Sequence, residues 1–313
     1  MSAAAGAQAA GAPPAPLERH AVVTGANRGL GLEIARRLVQ QGFRVAAVCR
    51  RLEDATRTAR ELNAMDACRP ASCCQCVPIQ LDLAEGEAAV RQAAAQVVGW
   101  LEGASKGLTL LVNNAGNSYG SWGGEAWADS RAVNFKGPCL LTEALLPAFV
   151  AASDGSPAVA MVGSGLGEVG LLSPKFQQLL GNARSVRCLD QIAGRPLAQL
   201  CCDQSWVGPY GLSKALLHRA TALYAADSRF ASRGIRVYAT CPGWVSTDMG
   251  GEEAPISTQE GAGHILEKAL SADATPHHGG DATTESGTFN CYCYKNYDDE
   301  HNRAWEEKHG KGT

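Results

Sequence analysis

Tyr210 and Lys214 stand four residues apart at the start of a helix-forming stretch, so they share one face. An ammonium group within several ångströms of a phenol stabilises the phenolate and lowers its pKa toward neutrality. A tyrosine held this way can exchange a proton with a substrate oxygen. The pair alone also describes an ordinary helix start with a surface lysine, so it needs companions. Ser164 is one: it follows the apolar run Ala158 to Val162, and a hydroxyl there can hydrogen-bond a carbonyl oxygen as negative charge develops on it. Asn113-Asn114-Ala115-Gly116 follows another such run, Leu108 to Val112, and Asn134 lies on the helix after it. In an open α/β sheet ligands gather at the carboxyl ends of the strands, which is where Ser164 and Asn113 to Gly116 fall.

A second cluster lies near the start of the chain. Thr24-Gly25-Ala26-Asn27-Arg28-Gly29-Leu30-Gly31 separates a short apolar run from a segment with helical periodicity. Its glycines permit a tight turn and close backbone approach, and the helix start offers unpaired N–H groups to a pyrophosphate. Dinucleotide sites that take NAD place an acid at the end of the second strand, for the ribose 2′-hydroxyl. Here that strand ends Val48-Cys49-Arg50-Arg51, with no carboxylate until Glu53. Arg28 and Arg50 suit a 2′-phosphate instead. From Gly25 to Arg69 there are nine Arg and five Asp plus Glu, in a chain of net charge -3. The expected cofactor is therefore NADP(H).

These residues need a frame. Apolar runs at His20 to Thr24, Phe43 to Cys49, Val77 to Leu81, Leu108 to Val112, Ala158 to Val162 and Ile235 to Thr240 read as strands. Helical segments lie between them: one from Leu30 through Leu38, then Glu53 to Asp66, Gly86 to Glu102 and a long one over Ser130 to Ala152. Continuous rather than alternating strands, separated by helices, predict a doubly wound parallel sheet of the Rossmann type, covered by helices on both faces. One domain is expected over residues 19–295. Residues 1–18, rich in Ala and Pro, are expected to be a disordered leader, and 296–313 a polar tail. Residues 166–207 carry Pro174, Pro196, Gly181 and Gly194, and read as an irregular insertion.

Composition excludes several classes. With 45% hydrophobic and 19% charged residues the chain can bury a large core. A pI near 6.2 argues against a broad nucleic-acid surface. No apolar stretch is long enough to span a bilayer, and neither a secretory nor a transit signal is evident, so a cytoplasmic protein is expected. Cys49, Cys139 and Cys241 fall inside predicted elements, as small buried hydrophobes do in a reducing compartment. The cluster Cys68, Cys73, Cys74 and Cys76 lacks the two-plus-two spacing of a zinc module and has no nearby His; no metal is expected.

Taken together, Thr24 to Gly31, Asn113 to Gly116, Asn134 in Val133-Asn134-Phe135-Lys136-Gly137, Ser164, Tyr210 with Lys214, and Cys241-Pro242-Gly243-Trp244-Val245-Ser246-Thr247-Asp248-Met249 resemble the short-chain dehydrogenase/reductase family. The resemblance spans roughly residues 20 to 290. Two features resemble its carbonyl reductase branch, which includes salutaridine reductase-like proteins. One is Pro-Gly-Trp-Val-Ser-Thr-Asp-Met; the other is the step of 46 residues from Ser164 to Tyr210.

The resemblance implies a sheet of about seven strands, the last near Gly287 to Phe289. It implies Tyr210 as general acid, Lys214 as the group that lowers its pKa and bonds the nicotinamide ribose, Ser164 as the carbonyl-orienting hydroxyl, and Asn134 as the holder of a water in the proton relay. For the cofactor it implies Gly25, Asn27, Arg28, Gly29, Leu30, Gly31 and Arg50, then Asp82 and Leu83 at the adenine. Asn113 would border the adenosine ribose, and Ala115 and Gly116 would also contact the cofactor. Thr247, with the Pro242-Gly243 turn, would hold the nicotinamide carboxamide, and Trp244 and Val245 would also contact the cofactor. It further implies that the insertion covers the face used for oligomerisation, so that the protein is monomeric. Gly163, where the branch often has a second Ser, the short segment Asn117 to Asp129 and the aromatic C-terminal piece with Tyr292, Tyr294 and Tyr297 leave the carbonyl substrate open, while Trp122, Trp206 and Trp244 fit either the wall of an apolar pocket or simple packing. Reduction of an aldehyde or ketone is the expected reaction. Alcohol oxidation in a biosynthetic step and a non-catalytic NADP(H)-sensing module are the alternatives.

Overall fold

The computed structural model describes residues 19–65, 76–103, 107–118, 123–150, 157–200, 207–271 and 289–291. The elements run β1 (Arg19–Thr24), α1 (Gly29–Gln40), β2 (Phe43–Cys49), α2 (Leu52–Asn63), β3 (Val77–Gln80), α3 (Glu87–Gly103), β4 (Leu110–Asn113), α4 (Gly124–Arg131), α5 (Gly137–Leu145) and β5 (Ala158–Val162). Then come α6 (Pro174–Asn182), α7 (Val186–Ala193), α8 (Leu197–Leu200), α9 (Gly208–Ala225), α10 (Ser228–Ala231), β6 (Arg236–Cys241), α11 (Thr258–Leu270) and β7 (Phe289–Cys291).

The sheet is parallel with order β3-β2-β1-β4-β5-β6-β7; β7 is a three-residue strand at the edge. This is the doubly wound arrangement that the strand pattern predicts. The strands are apolar on both sides because both faces are covered. Val22, Leu111, Val159 and Met161 point to a layer holding α3, α5 and α9, while Val23, Val45, Leu110 and Val112 point to one holding α1, α2 and α11. Register then brings the site to one edge: Val23 pairs with Val112 and Val112 with Ala160, so the chain leaves β1, β4 and β5 at a common level. Sheet order reverses between β1 and β4, and that is where a crevice opens.

The long helix expected over Ser130 to Ala152 is broken. It begins earlier, at Gly124, passes through a π-helical turn at Ala132–Lys136, and ends at Leu145. Pro147, which has no N–H to donate, enters a single 3₁₀ turn at Leu146–Ala148 instead. The insertion is also more regular than expected. Ser173 and Ser185 accept hydrogen bonds from Phe176 and Cys188 N–H and so start α6 and α7. Phe176, Leu180, Leu189 and Leu200 are buried, and burying each such side chain contributes roughly 1.5–3 kcal/mol. The expected leader and tail, the thiols Cys68, Cys73 and Cys74, Trp122, Trp206 and the aromatic residues beyond Cys291 lie outside the described residues.

Candidate active site

A cleft of about 1600 Å³ lies over the carboxyl edge of the sheet. Its first wall is the turn after β1. Gly25 and Gly29 take φ of +67° and +53° there, values that L side chains rarely adopt. A Cβ on Gly31 would stand 2.2 Å from the Gly25 carbonyl oxygen, so α1 can start this close to β1 only with glycine. No side chain caps α1 and its first turn holds no acid. Its leading N–H groups and positive dipole end therefore remain for an anion. The side chain of Asn114 locks this turn to β4 by donating to the Thr24 carbonyl at 2.9 Å; Thr24 Oγ1 accepts from Asn114 and Ala115 N–H, each at 3.0 Å.

The second wall is cationic. Arg50, exposed, lines the cleft beside Arg28 and Arg51. The one nearby carboxylate in this wall, Asp54, is occupied: Arg51 donates to it at 2.7 Å and Arg57 at 2.8 Å. The hydrogen bond from Arg51 chiefly holds its carboxyl below the usual range, and Arg57 adds to this. Arg28 pairs across the mouth with Asp248, from the loop after β6. Asp82 accepts the Ala84 N–H at 2.9 Å, which starts the short turn Leu83–Glu85 and sets Asp82 and Leu83 along the cleft.

The reactive end brings Ser164, Tyr210 and Lys214 to the same cleft. Lys214 is buried, its Nζ donates to the Val162 carbonyl at 2.7 Å, and it lies 5.6 Å from the centre of the Tyr210 ring. Burial pushes its pKa down to about 8, with Cys241 opposing the shift. Across from them Pro242, Gly243, Trp244, Val245 and Thr247 form the third wall with Ala115, Gly116, Asn27 and Leu30. Trp244 Nε1 donates to the Gly250 carbonyl at 2.8 Å, and Thr247 Oγ1 accepts the Gly250 N–H at 3.1 Å. The loop is thus held by its own side chains, and Trp244 is tied into it while lining the cleft.

Two expected site residues do not line the cleft. Asn113 is buried away from the cleft, donating to Thr142 Oγ1 at 3.1 Å and to Met161 Sδ at 3.2 Å. As the last residue of β4 its side chain alternates to the α5 face, which corrects its expected place beside a ribose. Asn134 is fully buried in the π-helical turn, and its amide is committed to protein. Oδ1 accepts the Asn117 N–H at 2.9 Å, while Nδ2 donates to the Asn117 carbonyl at 2.9 Å and to Ser213 Oγ at 3.0 Å. The Asn134 amide thus has its oxygen and its nitrogen both bonded to protein. Ser213, which the sequence pattern did not single out, donates in turn to the Tyr210 carbonyl at 2.6 Å. Its position three residues after Tyr210, on the same helix face, was the available signal.

The insertion packs on the outer helices. Arg131 donates to the Ala193 carbonyl at 2.9 Å, Arg219 to the Ala183 carbonyl at 3.0 Å, and Lys136 pairs with Asp190 at 3.1 Å. It thus packs against α4 and α9. Among the described residues no helix is long and apolar enough to cross a membrane, and no group of three or more His, Cys, Asp or Glu is placed to hold a metal ion.

Residues 19–174 match the short chain dehydrogenase family. The (+)-neomenthol dehydrogenase of Arabidopsis thaliana is 29% identical over 307 residues, covering 87% of this chain and 95% of the relative. The salutaridine reductase structure from Papaver somniferum superposes with a TM-score of 0.70 at 24% identity, over 88% of this chain and all of that one. A metagenomic short-chain oxidoreductase solved in complex with NADP is 25% identical, with a TM-score of 0.55, over 82% of this chain and 92% of that one. The glycine turn, the sheet order that opens the crevice, and a tyrosine and lysine facing one cleft are thus explained together: the chain is an oxidoreductase of the short-chain dehydrogenase/reductase family.

Proposed function

We propose that the protein reduces the carbonyl group of an aldehyde or ketone to an alcohol with NADPH. The observation that carries this reading is the buried Lys214 beside the Tyr210 ring, with Ser164 on the same cleft. The cofactor fits the residues present. The uncapped start of α1 suits a pyrophosphate, and Arg50 and Arg28 suit a 2′-phosphate, because arginines rather than an acid follow β2 and the nearby Asp54 is already paired with Arg51 and Arg57. The NADP complex of the metagenomic relative supports the same choice. When bound, the cofactor supplies the hydride.

The chain's own residues do the remaining work. Tyr210 Oη donates a proton to the substrate oxygen, and Ser164 Oγ donates a hydrogen bond to that oxygen as it gains charge. The Lys214 ammonium, present below about pH 8, stabilises the tyrosinate left behind. The Val162 carbonyl holds the ammonium in place. Gly116 leaves room beside them: a Cβ there would stand 3.2 Å from Asn134 Oδ1 and 3.6 Å from Lys214 Nζ. The name of the Arabidopsis relative supports an alcohol–ketone couple. The helical insertion over α4 and α9 supports a monomer, which light scattering in solution would check.

The test is NADPH consumption with a panel of menthone, cyclohexanone, acetophenone and benzaldehyde, run beside NADP⁺ reduction with the matching alcohols. Turnover of a carbonyl with NADPH well above NADH supports the reading. Tight NADPH binding without turnover in either direction would refute it.

A further inference from the structure

α9 carries a third polar residue on the face of Tyr210 and Lys214. His218 lies one turn beyond Lys214 and is buried. It does not line the cleft. Its Nε2 accepts the Ser164 N–H at 3.3 Å, and its Nδ1 lies 3.2 Å from the Gly167 carbonyl oxygen. The carbonyl only accepts, so Nδ1 carries the proton, Nε2 is the acceptor, and the ring is a neutral imidazole in one tautomer. Burial, with the neighbouring Lys214 charge second, pushes its pKa down to about 3, against a weaker opposing effect of Cys241 and the Gly167 bond. The ring therefore stays neutral across the working pH range, and its two partners set the tautomer.

The segment between those two bonds is the one that presents Ser164. Gly165–Gly167 is a single 3₁₀ turn, and Ser164 Oγ accepts the Leu166 N–H at its start, at 3.3 Å. The turn lies flush on α9. A Cβ on Gly167 would stand 2.8 Å from the Ala215 nitrogen, and one on Gly211 would stand 2.6 Å from the Leu166 oxygen. His218 makes a hydrogen bond at each end of this turn, to the helix that bears Tyr210.

We propose that His218 is a positioning residue for the reaction: by bonding Ser164 N–H and the Gly167 carbonyl it fixes the Ser164 hydroxyl relative to the Tyr210 phenol, so that both reach one substrate oxygen. The proposal rests on the carbonyl-reductase reading. Its consequence is that the effect of His218 on turnover passes through Ser164.

Three variants separate the two bonds. His218→Gln keeps an acceptor near the Nε2 position. His218→Asn keeps a donor near Nδ1 but does not reach Ser164 N–H. His218→Leu removes both. Each is measured alone and in a Ser164→Ala background, for kcat and KM on the best carbonyl of the panel and for NADPH affinity by fluorescence. Expected is a kcat loss of roughly tenfold or more in His218→Leu and His218→Asn, most of it recovered in His218→Gln, with NADPH affinity held within about twofold. In Ser164→Ala, His218→Leu should cost less than about twofold further. An equal fractional loss in both backgrounds overturns the proposal, as does an unchanged kcat. If His218→Leu fails to fold, the comparison of Gln with Asn decides: equal kcat in these two amides overturns it. An inactive wild type would sink the underlying reading and the proposal together, whereas an active wild type with additive variants sinks the proposal alone.

Discussion

The Nζ of Lys214 donates to the Val162 carbonyl at 2.7 Å, which ties the helix of Tyr210 to the strand that delivers Ser164. The bond also fixes a buried ammonium whose pKa lies near 8 rather than 10.5. Carbonyl reduction should therefore fall with an alkaline limb centred near pH 8, as Lys214 loses its proton and Tyr210 its support. Lys214→Met should lower kcat/KM and remove the limb. A pH–rate profile flat through that range contradicts the assignment. Stability has the opposite slope. The unfolded chain binds more protons between about pH 8 and 10.5, so the cost of burying Lys214 is fully present below that window and is relieved as pH rises through it.

Replacing Tyr210 with Phe removes the phenol hydroxyl that the proposed reaction uses as its proton donor. Turnover should drop by about 10²–10⁴-fold while NADPH affinity is kept. Fluorescence titration together with steady-state rates reads both; a Phe variant with wild-type kcat would remove Tyr210 from the chemistry.

Cofactor choice should depend on Arg50 more than on Arg28. No ion pair engages Arg50 among the described residues, whereas Arg28 is held by Asp248. Arg50→Ala should reduce the preference for NADPH over NADH by roughly 10–100-fold, the value of a charge-assisted hydrogen bond to phosphate. Asp248→Asn should free Arg28 and tighten NADPH binding by a few fold, no more, because an exposed pair is worth at most about 1 kcal/mol. The comparison of kcat/KM for the two cofactors measures both.

Gly31→Ala places a methyl group 2.2 Å from the Gly25 oxygen, a backbone atom that cannot step aside without moving the turn. A destabilisation of roughly 1–3 kcal/mol is expected, with weaker NADPH binding. Thermal unfolding with and without NADPH tests this, and an unchanged midpoint in both would show that α1 can back away from β1.

Ser213→Ala breaks the chain from Asn134 Nδ2 through Ser213 Oγ to the Tyr210 carbonyl. A buried amide N–H then loses one acceptor, at a cost of about 1–3 kcal/mol. Chemical denaturation should show that loss, with a modest fall in kcat.

The chain's one-dimensional pattern already determined the parallel sheet and the glycine turn, because these arise from local periodicity and from strands ending at one edge, while Ser164, Tyr210 and Lys214 were grouped by their resemblance to a family motif set. It could not determine which way a side chain turns at a strand end or inside a distorted helix. Asn113 faces the core and Asn134 is consumed by Asn117 and Ser213, since β4 alternates and the π turn rotates the side chains it carries. Nor did spacing reveal His218, whose partners Ser164 and Gly167 are more than fifty residues away in the chain. The insertion was legible as an insertion, but its docking on α4 and α9 through Arg131 and Arg219 depends on carbonyls that only the folded chain brings within reach. Hydrogen bonds between distant segments have no period in sequence, and it is those bonds that decide where the catalytic groups point.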